Sequence, residues 1–110
     1  MAEVFKVLDQ INPLAATLTA SAAVPASKAW IVSSIVVANR DPVGTTFRIA
    51  VAPAAAADSN EQYLWFDVSC PGNDTFAASL GLTLATTDIF RVYATLATLS
   101  FNFFGSEVDQ

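Results

Sequence analysis

The sequence of 110 residues contains no histidine, a single cysteine, four glycines and only five basic residues. Each scarcity excludes a class of chemistry. Without histidine, a Ser–His or Cys–His nucleophile system cannot be assembled. Cys70 alone can form no intrachain disulfide, and one thiol with no imidazole leaves a four-ligand zinc site out of reach. Cys70 stands beside Pro71 and Gly72 with no basic neighbour in sequence to lower its pKa, so a small buried or turn-flanking role is expected. Gly44, Gly72, Gly81 and Gly105 are too dispersed for a phosphate-binding loop.

Charge is scarce as well. Charged residues make up 14% of the chain, about half the usual share. Ten acidic residues against Lys6, Lys28, Arg40, Arg48 and Arg91 give a formal charge of −5. The basic residues form no run or stripe, so a phosphate backbone or an anionic membrane would meet net repulsion. Neither nucleic acid nor membrane is expected as a partner. No stretch has the length and polarity pattern of a membrane span, and the first ten residues lack the basic and apolar regions of a signal peptide. Synthesis in a cytoplasm is expected.

What is abundant is apolar sequence, 54% of residues, arranged mostly with a period of two. Residues 45–51 set Phe47, Ile49 and Val51 against Thr46, Arg48 and Ala50. Residues 88–95 set Phe90, Val92 and Ala94 against Ile89, Arg91 and Tyr93, and residues 98–104 set Leu99, Phe101 and Phe103 against Ser100 and Asn102. These alternations predict half-buried strands. Residues 28–39 are apolar on both faces apart from Ser33 and Ser34, which predicts a central strand. Residues 74–81 predict a shorter strand with Phe76, Ala78 and Leu80 inward, residues 3–10 an edge strand, and residues 14–24 another; 98–104 is also expected to lie at an edge. Turn residues punctuate the chain at 24–28, 39–45, 70–74 and 85–88. The alanine-rich segment 52–60 is expected to be a loop with one helical turn. The sum is an all-β chain, one domain over residues 1–110: an antiparallel sandwich or jelly-roll-like fold of seven to eight strands.

The segment EQYLWFDVS, residues 61–69, carries the main functional signal. An uninterrupted period of two puts Leu64, Phe66 and Val68 on a core-facing side and Tyr63, Trp65 and Asp67 on the other. Two readings of that second face stand. Either Tyr63 and Trp65 point outward, or the strand is central and buried on both faces, inside a sandwich corner or beneath the 52–60 loop. Outward rings, with Tyr93 and the strand arginines Arg48 and Arg91, would form an adhesive patch of the kind that partners cover. Tyr63, Trp65, Arg48, Arg91 and Tyr93 are therefore the candidate interface residues. Asp67, Asp74 and Asp88 are the carboxylates that could pair for acid/base work, but each falls at a strand end or turn, where aspartate serves local hydrogen bonding. Asn73-Asp74 falls short of the oxygen count of a calcium site. No catalytic, cofactor-binding or metal residue is assigned, and no enzymatic activity is expected.

Together, VPASKAWIVSSIVVANRDPVGTTFRIAVAPAAAA, QYLWFDV, NDTF, LGLTLATTDIFRVYA and SFNFFGSE resemble a family of small structural proteins of tailed-bacteriophage virions. The likeness runs from about Val7 to Glu107. It departs at Ser27 and Ala55, where that family often has glycine. The resemblance implies a non-enzymatic virion component made in the host bacterial cytoplasm. Such proteins serve as capsid decoration (cement) or as tail and baseplate parts, and the resemblance does not settle which. Capsid decoration is the leading expectation, with the major capsid protein or other virion proteins as partner and a homo-oligomer, such as a trimer, as the working form. Tail, neck or baseplate structure is the alternative. A carbohydrate-binding module gripping host glycans with Tyr63 and Trp65 is a third, from a different class.

Overall fold

Strand propensity and alternation place two four-stranded sheets face to face. In this computed structural model, which describes residues 3–110, the elements are β1 (Glu3–Ile11), β2 (Thr19–Ala20), β3 (Lys28–Asn39), β4 (Thr45–Ala52), β5 (Tyr63–Cys70), β6 (Thr75–Leu84), β7 (Ile89–Ala94) and β8 (Leu99–Asp109). One sheet has the order β1-β8-β3-β6 and the other β2-β7-β4-β5, with every pairing antiparallel. This is jelly-roll connectivity, an eight-stranded double sheet. The expected strands at 3–10, 28–39, 45–51, 74–81 and 88–95 all form. The expected strand 14–24 contracts to Thr19–Ala20, because the rest of that segment tracks β7 through scattered bonds such as Ala16 N to Ala94 O at 2.8 Å and Ser21 N to Phe90 O at 2.8 Å. The segment 98–104 is not an edge: it opens a longer strand, β8, between β1 and β3.

The core is built from the inward rows. Phe47, Phe90, Phe101 and Phe103 are fully buried with Ile35, Ile49, Leu99, Val32, Val37 and Val92. Phe90 stacks on Phe103 with centroids 4.2 Å apart, and Phe47 meets Phe101 edge-on at 5.9 Å. Burying each such ring stabilises by roughly 1.5–3 kcal/mol, and aromatic pairing adds about 0.5–1.5 kcal/mol. Cys70 is buried and unpaired, its thiol donating to the Asp74 carbonyl at 3.8 Å. Burial, then the nearby Asp74 charge, pushes its pKa up, the opposite of an activated thiol.

The double-sided apolar look of residues 28–39 has a specific origin. A register break between Val32 and Ser34 switches the phase of β3. Trp30 and Val32 before it and Ile35 and Val37 after it all face the core. Gly105 on β8 lies opposite Val32 at this break, and a Cβ there would sit 2.0 Å from the Ile31 carbonyl oxygen, so only glycine fits.

The loops are fastened by side chains. Asn39, buried at the end of β3, donates through Nδ2 to the carbonyls of Val43 at 2.9 Å and of Cys70 and Pro71 at 3.3 Å. Its Oδ1 accepts from Asp41 N at 3.1 Å and Thr98 Oγ1 at 3.0 Å. One amide thus ties three turns together. Asp88 accepts from Ala85 N and Ala54 N, both at 2.8 Å, anchoring the alanine-rich segment, which does contain a 3-10 turn at Pro53–Ala55. None of the glycines has a positive φ; Ala16, Ser27, Ala54, Ala55, Asp67, Asn73 and Thr87 do.

Ser27 and Ala55, the two positions where glycine is common in the resembled family, both sit in the left-handed region, at φ 60° and 55°. A side chain there costs about 1 kcal/mol, and glycine returns roughly half of that gain through its greater unfolded-state entropy. Ser27→Gly is therefore expected to stabilise the domain by about 0.5 kcal/mol, seen as a higher urea midpoint at unchanged slope. A lower midpoint would contradict this reading of the turn.

Candidate functional site

An edge strand that must bend over a sandwich gains twist from bulges, and β5 has two. Its pairing with β4 runs Thr45↔Cys70, Thr46↔Ser69 and Phe47↔Val68, then shifts to Ile49↔Trp65 and shifts again to Ala50↔Tyr63. At the first break Asp67 adopts φ 53°, a conformation aspartate tolerates better than most residues. The two shifts reverse the expected facing at the centre of the strand. Trp65 packs against the core and meets Phe76 edge-on at 5.9 Å. Leu64 and Phe66, expected inward, are 44% and 54% exposed. Val68 packs inward as expected. The paired Tyr63/Trp65 platform therefore does not exist on the surface, and the glycan-binding alternative loses the two parallel rings it required.

The other four candidate residues are brought together on the outer face of the β2-β7-β4-β5 sheet. β4 and β7 pair Arg48 with Tyr93 and Ala50 with Arg91, and Tyr63 flanks Ala50 from β5. Ala50 is fully buried although it faces outward, consistent with the larger side chains on either side of it. The Arg48 guanidinium lies 4.0 Å from the Phe66 ring centroid and 4.8 Å from that of Tyr93. Its Nε donates to Asp67 Oδ1 at 2.7 Å and its Nη2 to Oδ2 at 3.3 Å. Tyr63 meets Phe66 edge-on at 5.1 Å and donates through its hydroxyl to Asp58 Oδ2 at 3.2 Å. Arg91 Nη1 donates to Gln62 Oε1 at 3.3 Å.

Electrostatics lock this cluster rather than activate it. The Arg48 hydrogen bond holds the Asp67 carboxyl below its usual range, and the same bond raises the pKa of Arg48. Burial, then the hydrogen bond to Asp58, raises the Tyr63 phenol. These directions keep Arg48 and Asp67 charged and the Tyr63 phenol neutral. The arrangement is a rigid cation flanked by two rings, suited to gripping another surface. The other two carboxylates weighed as acid/base candidates are engaged locally, Asp74 with its neighbour's amide at 2.8 Å and Asp88 in its turn. Among the described residues no group of three His, Cys, Asp or Glu side chains converges on a metal position. Beside the cluster, a cleft of about 440 Å³ is bordered by Val51, Pro53, Ala56, Glu61 and Leu64, and the Glu61 carboxylate is occupied by Ser59 at 2.7 Å.

Phe66 and Asp67 were missed as members of the site. The available signal was Asp67 itself, an acidic residue inside an otherwise apolar strand, which marks a place where the ladder breaks. No protein-family model and no curated protein matches this chain.

The inverted facing has a direct energetic consequence. Trp65→Ala is expected to cost about 2–3 kcal/mol of stability, somewhat less than for a fully buried ring, whereas Phe66→Ala should cost under about 1 kcal/mol. Urea denaturation of both variants checks the orientation, and a larger loss for Phe66→Ala would contradict it.

Proposed function

We propose that this chain is a non-enzymatic structural protein of a tailed-bacteriophage virion, acting as a capsid decoration protein that bridges neighbouring major capsid subunits. The observation that supports it best is the Arg48 cluster. Phe66 stays 54% exposed while Asp67 and Tyr93 hold Arg48 in place beside it, so aromatic area and a fixed cation are presented without any reacting group. Arginine and aromatic side chains in this combination are the usual anchors of protein interfaces. The sequence likeness from about Val7 to Glu107 supports the virion structural part of this reading. The jelly-roll fold is compatible with it but does not decide, since capsid and lectin domains share that architecture.

The function so read is mechanical. A small domain bound across a subunit boundary adds buried area that must be exposed before capsomers separate. Weak contacts suffice when several copies are linked, because each further contact is then intramolecular. A pre-ordered Arg48 lowers the entropy lost on binding. Exposed Leu14 and Val43 add apolar surface elsewhere on the domain.

The test is retention on particles. Phage carrying Arg48→Ala together with Phe66→Ala are expected to yield purified heads with at least tenfold less of the protein, while the isolated variant keeps its circular dichroism spectrum. Undiminished retention of the folded variant would overturn the assignment of this face.

A further inference from the structure

We infer that two copies of this chain pair edge to edge through β6, joining two β1-β8-β3-β6 sheets into one continuous eight-stranded sheet about a two-fold axis. The inference does not depend on the virion reading.

Four strands form the sheet edges: β1, β6, β2 and β5. An exposed edge carries unpaired N–H and C=O groups that recruit another strand unless charge, brevity or a bulge prevents it. Three of the four are protected. β1 exposes Val4, Phe5 and Val7, but it also carries Glu3, Lys6 and Asp9 and a register break between Val7 and Asp9. β2 is two residues long. β5 is broken twice and carries Asp67. β6 runs for ten residues, TFAASLGLTL, without a charge or a proline. It pairs with a single strand, β3, and its one irregularity falls at Leu80–Gly81, opposite Ser33.

The side chains of β6 are also incompletely covered. Phe76 and Leu82 pack against the core, yet they remain half-buried, as do Ala78 and Leu80 in the same row. A strand added to this edge would cover that row.

Charge selects a second copy as the occupant. An antiparallel pair on a two-fold axis opposes residues placed symmetrically about that axis, so a charged residue on the axis meets its own copy. On β1, an axis at Lys6 would set Lys6 against Lys6 and Glu3 against Asp9. On β6 nothing charged meets anything. The period of two then opposes half-buried apolar residues to each other and exposed small residues to each other, since directly opposite residues share a face. Such an isologous contact closes at two copies.

Sedimentation velocity of the full chain over a concentration series tests this. The wild type should reach twice the 11.6 kDa chain mass. Ser79→Lys, at an exposed position, should weaken the dimer at least tenfold, with a urea midpoint equal to the wild type's at concentrations low enough for both to be monomeric. A lysine lowers the long-range repulsion between two chains of charge −5, so weakening can come only from the local contact. Ala77→Lys should act likewise, and Gln10→Lys on β1 should not. A wild type that stays monomeric, or an oligomer indifferent to both β6 lysines, trimer included, would overturn the inference. Particle retention is a separate readout, so the two readings fail independently.

Discussion

The spacing between the two sheets is the constraint on which the rest of the structure depends. Phe47, Phe90, Phe101 and Phe103, fully buried, fill the roughly 10 Å gap that face-to-face sheets require. Their positions on β4, β7 and β8 come from strict alternation, and that alternation fixes which residues the same strands send outward. Arg48 and Tyr93 are on the surface because Phe47, Ile49 and Val92 are not. The outer cluster is thus a by-product of core packing until β5 breaks phase and adds Phe66 and Asp67 to it.

That phase break links local backbone to site. A left-handed Asp67 would be a cost of about 1 kcal/mol with no return, were its carboxylate not paired with Arg48. With the pair formed, the bulge turns Trp65 into the core and Phe66 out beside the guanidinium. A single irregularity therefore supplies both a core ring and a surface ring from adjacent residues. The same logic holds in β3, where the break at Ser33 lets Trp30 and Val37 face the same way.

Much of this was legible in the sequence. The all-β class, the strands at 28–39, 45–51 and 88–95, and the grouping of Arg48, Arg91, Tyr63 and Tyr93 on one outer face all follow from period-two reasoning and turn residues. Trp65 was not legible, because one inserted residue flips every side chain beyond it, and bulges leave only faint marks such as Asp67. The reduction of 14–24 to Thr19–Ala20 and the internal position of β8 depend on long-range pairing, which no local pattern encodes. The open edge of β6 is visible only once strand order is known.

The decoration role proposed here would make this chain, with its arginine–aromatic face and uncharged β6 edge, one of many identical parts. Copy number per particle tests that most directly. Quantifying the protein against the major capsid protein in purified virions should give a copy number per particle of the order of the number of capsomers. A handful of copies, or none, would contradict a decoration role.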